Sequence, residues 1–120
     1  MTIALRQIAD RVYLVTVSGL LTWAEFQASQ VRSETENIFA TGKLKALVQL
    51  DDFAGWEPGE QWGDVGFFFR HDRDVEKIAV VGDPRWRDEA LLFLFADSRH
   101  AEVRFFPEAD LELARAWLMG

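Results

Sequence analysis

The chain has 120 residues, 49% hydrophobic and 13% aromatic, with a net charge of −7 and no cysteine. That length suits one domain, residues 1–120, with a core that needs no staples. The missing cysteines exclude disulfides, thiolate chemistry and cysteine-ligated zinc, and the acidic balance argues against a nucleic-acid partner, because phosphate binding needs a basic face.

The N-terminus carries Arg6, Asp10 and Arg11 inside its apolar stretch, so it does not read as a signal peptide. No apolar run approaches the ~20 residues of a spanning helix, so no transmembrane segment is expected and the expected location is the cytoplasm. Residues 3–8 and 11–18 read as two strands joined at Asp10-Arg11. Val12, Leu14 and Thr16 share one face of the second strand, and Tyr13, Val15 and Val17 the other. A strand apolar on nearly both faces belongs in the middle of a sheet. Ser18-Gly19 is its expected end.

Thr22-Trp23-Ala24-Glu25 fits a capping box and opens a helix expected to reach about Ala40, with Phe26, Val31, Ile38 and Phe39 on its apolar side. Lys45–Leu50 reads as a buried strand. The next stretch, DDFAGWEPGEQWGDVGFFFRH, supports two readings. Trp62, Val65 and Phe69 fall on one helical stripe, although three glycines each weaken a helix by about 1 kcal/mol. A hairpin turned by HDRD fits the pattern equally well.

Ile78–Val81 is a short apolar strand, and Asp83-Pro84 supplies an N-cap and a helix first turn. The helix that follows is expected to run to about Asp97, with Trp86, Ala90, Leu91, Leu94 and Phe95 on its stripe and Leu92 and Phe93 outside it. Glu102–Phe106 is the last strand, with Val103 and Phe105 facing one way. A final helix runs to Leu118, burying Leu111, Ala114, Trp117 and Leu118. The order β-β-α-β-α-β-α-β-α implies an α/β sandwich with a mostly parallel central sheet and helices packed against it.

Four stretches carry a resemblance: VSGLLTWAEF, LVQLDDFAGWEPGEQWGDV, RHDRDVEKIAVVGDPRW, and AEVRFF followed by ELARAWL. In this order they resemble the SpoIIAA-like family of small bacterial proteins, relatives of the STAS domain often grouped with the CRAL-TRIO lipid-carrier fold. The resemblance implies a helix after the third strand, which favours the helical reading of GFFF. It also implies a non-enzymatic domain that binds proteins or a small apolar ligand. Antagonists in the wider fold carry a phosphorylatable serine after the third strand. Here that place reads DDFAGWEPGEQW, without Ser or Thr, and no phospho-switch is expected.

Chemistry-bearing residues are sparse. His71 and His100 sit at or beyond helix ends and read as loop histidines. Asp51 and Asp52 follow a buried strand, where ligand sites of open α/β sheets gather, and two carboxylates could hold Mg²⁺ or exchange protons. No third ligand recurs at a matching spacing, so they read as loop residues. VVGDP has one glycine, not a phosphate cradle, and Asp83 would repel an anion there.

The aromatic set is the unusual feature. Trp56, Trp62, Phe67, Phe68, Trp86 and Phe93 are the candidate site, either a subunit interface or an apolar pocket. Phe68 and Phe93 are expected to face outward as one patch. The expected function is therefore binding without catalysis or cofactor. A homodimer or protein-partner interface is the first reading, and an apolar small-molecule or lipid carrier the second.

Overall fold

The computed structural model describes residues 3–36, 38–41, 43–59, 62 and 71–120. Its frame is one five-stranded sheet in the order β1-β2-β3-β4-β5, formed by Ile3–Ala9, Val12–Leu21, Leu44–Trp56, Val75–Gly82 and Glu102–Pro107. β1 pairs antiparallel with β2, and the remaining pairs are parallel. The two-residue turn at Asp10-Arg11 closes without glycine because Arg11 itself takes the left-handed conformation, at φ 57°.

Period-two alternation assigns the faces. Leu5, Val15, Val48, Val80 and Phe105 stand in register across one face. Leu14, Leu47 and Ala79 stand in register across the other. β2, β3 and β4 are apolar on both faces, as the central strands of a two-sided sheet must be.

Three helices lie among the described residues: α1 (Trp23–Thr35), α2 (Arg87–Phe93) and α3 (Leu111–Met119). α1 and α2 belong to the first face, where Phe26, Trp86 and Ala90 join the core with Val80 and Ile78. α3 covers the second face with Ala114 and Leu118, both essentially inaccessible. Lys77 fastens the end of α3. Its Nζ donates to the Trp117 carbonyl at 3.0 Å and lies 5.0 Å from the centroid of the indole.

Several expected boundaries move. β2 and β3 do not stop at Ser18-Gly19 and Leu50; they run on together through a pair of irregularities. Ser18 pairs with Asp51, Gly19 with Phe53 and Leu20 with Gly55, so β3 carries extra residues at Asp52 and Ala54. Asp52 takes a left-handed φ of 52°, which lets the chain bulge and stay paired. α1 ends at Thr35, and a separate 3-10 turn spans Ile38–Thr41. Asp83 caps as expected, its carboxylate accepting from Arg85 N–H at 3.0 Å, but on a 3-10 turn that precedes α2. α2 stops at Phe93, and Phe95 turns left-handed at φ 54°. The expected helix carrying Val65, Phe67, Phe68 and Phe69 lies outside the described residues.

Candidate functional site

The first face of the sheet is incompletely filled. Ser29 and Ser33, one turn apart on α1, and Ala46 of β3 line the same space, so small side chains border it from both helix and sheet. The result is a cavity of about 180 Å³. Its floor is the sheet row of Val15, Val48 and their neighbours, and its walls include Phe26, Leu94 and the turn at Ile38-Phe39. Ser33 does not wet it. Ser33, only 6% exposed, donates its hydroxyl to the Ser29 carbonyl at 2.9 Å, so its polar atom is satisfied within the helix.

Aromatic rings close the end nearer the C-terminal edge of the parallel strands. Phe93 packs edge-on to Phe26 at 5.3 Å and against Trp56 at 5.4 Å. Trp62 meets Phe26, Phe93 and Trp23 at 5.7, 5.6 and 5.3 Å. Its indole N–H donates to the Glu57 carbonyl at 2.6 Å, which fixes the ring. Trp86 lies behind, edge-on to Phe53 at 5.1 Å. Each such pair adds about 0.5–1.5 kcal/mol beyond area burial. Trp56 Nε1 is buried and has no acceptor among the described residues.

Four of the six candidate aromatics, Trp56, Trp62, Trp86 and Phe93, therefore converge in one inward cluster, and Phe93 lines the cavity. Phe67 and Phe68 lie outside the described residues. The expected outward position of Phe93 is corrected. The helix ends at that residue; Leu92, on its last turn, and Phe95, in the turn that follows, take the surface positions, 77% and 38% exposed. A continuous helical stripe through Phe95 assumed a helix four residues longer than the one formed.

The opposite end of the cavity, at the N-terminal edge of β3 to β5, is polar. His71 stacks on Phe39 with centroids 3.8 Å apart and rings 12° from parallel. Its Nδ1 lies 3.0 Å from Asp74 Oδ2 and its Nε2 lies 3.0 Å from Glu34 Oε2. The ring thereby ties α1 to the turn before β4, and it is not the exposed loop histidine expected. Arg99 also lines the cavity, donating from Nη1 to the Leu94 carbonyl at 3.2 Å. Burial pushes its guanidinium below its ordinary pKa, and the nearby Asp72 charge partly opposes that shift.

Asp51 and Asp52 are both exposed and sit on the bulge of β3 rather than past its end. No group of three metal-ligating side chains occurs among the described residues. Sequence reasoning missed Ser29, Ser33 and Arg99. The available signal was the small pair four residues apart on α1, where a packed helix would carry Leu or Ile.

A family model described as SpoIIAA-like matches residues 12–119. The crystal structure of an uncharacterized protein from Shewanella loihica PV-4, assigned to the DUF3478 family with a SpoIIAA-like fold, superposes with a TM-score of 0.70. It covers 97% of this chain and 91% of its own, at 19% identity, a likeness that speaks for the fold alone. No curated protein matches.

Proposed function

The chain belongs to the SpoIIAA-like family, and within that fold we propose that it is a binding domain without catalytic function whose occupant is a small apolar molecule held between α1 and the sheet. The observation that carries this reading is the cavity itself. Dense packing is the rule in domain interiors, and an unfilled apolar space of about 180 Å³ forfeits stability. A dry cavity of about 150 Å³ is enough to take up benzene. A six-carbon ring or chain is therefore the size of ligand to expect.

The test fills the space. Ala46→Leu places a larger side chain in the wall of the cavity that Ser29 and Ser33 also line. Native mass spectrometry after gentle purification, together with calorimetry using benzene or hexanol, should show uptake by the natural protein and none by the variant. The denaturation midpoint of the variant should be unchanged or raised. Binding that survives in a folded Ala46→Leu protein would place the ligand elsewhere.

A second reading, self-association, is favoured by two exposed large hydrophobic residues, Leu92 on the last turn of α2 and Phe95 just past its end. An isologous contact would bury both residues twice. The same mass spectrum reports subunit number. Leu92→Asp should convert a dimer to a monomer without touching the cavity.

A further inference from the structure

Resting on the cavity reading above, we infer that His71 is a proton-operated latch on the cavity wall: its imidazolium holds α1 to the turn before β4, and loss of the proton frees that end of α1 and speeds release of the occupant. The argument is a count of donors. Nδ1 faces Asp74 Oδ2 and Nε2 faces Glu34 Oε2, both at 3.0 Å. An ionised carboxylate only accepts, so both ring nitrogens must donate, and only the imidazolium carries two N–H groups. A neutral ring keeps one. Its other nitrogen then turns a lone pair toward a carboxylate, and one tie becomes a repulsion.

The two ties are not equivalent. Asp74 is three residues from His71, whereas Glu34 reaches it from the last turn of α1, across 37 residues of sequence. The Glu34 side chain is 36% exposed and can swing to water, so the long-range tie is the one that yields. His71 also stacks on Phe39 of the turn at Ile38–Thr41, and Ser33, Phe39 and His71 all line the cavity. The ring therefore joins three pieces of one wall. Every neighbouring element sets the charge around it. On α1, Arg32 and Glu36 pair with each other at 2.6 Å. The turn before β4 adds Asp72, which accepts from the His100 backbone N–H, and Arg73. Tyr13 of β2, Lys45 of β3 and Arg99 border the same cavity, and the turn at Ile38–Thr41 has no titratable group. Lys45 and Arg99 oppose a charged ring, while Glu34 and Asp74 favour it from hydrogen-bond distance. Histidines lose their proton between about pH 5 and 8. The double tie is thus complete at the acidic end of that range, and the stability it contributes is lost as pH rises.

The experiment measures amide hydrogen exchange of residues 32–36 and 38–41 at about pH 5.5 and about pH 8, corrected for the intrinsic pH dependence of exchange, together with the dissociation rate of bound hexanol. Protection should fall at least about tenfold at the higher pH, the effect of losing one hydrogen bond to a charged group, and hexanol should leave correspondingly faster. In Glu34→Gln the amide can donate to a neutral ring, so the tie outlasts deprotonation and both pH effects should vanish. His71→Gln, which does not titrate, should remove them as well. Unchanged protection in the natural protein overturns the latch even if neither variant folds. A change of protection without a change in hexanol dissociation overturns its hold on the occupant. Failure of hexanol to bind at either pH overturns the cavity reading instead, and the exchange data still decide the latch.

Discussion

At Gly82 a single missing carbon atom sets how closely two strands pack. A Cβ built there would lie 2.8 Å from Leu50 Cβ, closer than two carbon atoms can stand. Gly82→Ala should therefore cost about 1–3 kcal/mol, as overpacking of a tight site does, read as a lower denaturant midpoint. Because the contact is with Cβ, which alanine retains, most of that loss should persist in a Leu50→Ala background. An unchanged midpoint would mean that the strands separate there without cost. From the sequence, Gly82 reads only as the start of the GDP turn; the closeness of Leu50 is invisible to a local pattern. Asp83 was legible beside it, because an N-cap before proline is a local signal that the chain satisfies locally. Phe93 was not, because its direction depends on where the helix stops.

The elements divide in the same way. Strands were legible by alternation, since a sheet covered on both faces leaves its central members apolar throughout, as in Val12–Val17 and Ile78–Val81. Their ends were not, because Gly19 and Asp52 look like breakers yet act as bulges inside continuing strands. The start of α1 was read correctly. Thr22 takes an extended conformation, and its hydroxyl accepts from Glu25 N–H at 3.2 Å. Thr22→Ala should cost about 0.5–2 kcal/mol, with hydrogen-exchange protection lost first at the beginning of α1. Equal exchange in both proteins would remove the cap from the account. The apolar side of α1 was misjudged at Val31, which is 60% exposed, because this helix covers the sheet with serine, glutamine and phenylalanine rather than a continuous aliphatic stripe.

For the molecule as a whole, layer order and sheet membership followed from the alternation of strands and helices, while the cavity did not, because an empty volume is a sum over side chains from several elements. Net charge is legible without any structure and has its own consequence. At −7 the chain repels itself. Its described ion pairs are partly or largely exposed, such as Arg32–Glu36 and Arg87–Asp88, and each contributes little. Screening should therefore help more than it harms. Going from about 0.01 M to about 0.15 M salt shortens the Debye length from about 30 Å to about 8 Å, and the thermal midpoint should rise; a fall would show that the exposed pairs matter more than the self-repulsion. The strand order also bears on synthesis. Each strand pairs with the one made just before it, so no strand has to insert between two neighbours already joined. As the chain leaves the ribosome, the sheet can lengthen at a single growing margin, beginning from the β1–β2 hairpin. β5 and α3 then arrive last, and until they do, Val80 and Ala79 wait at an open edge for a nascent chain to complete them.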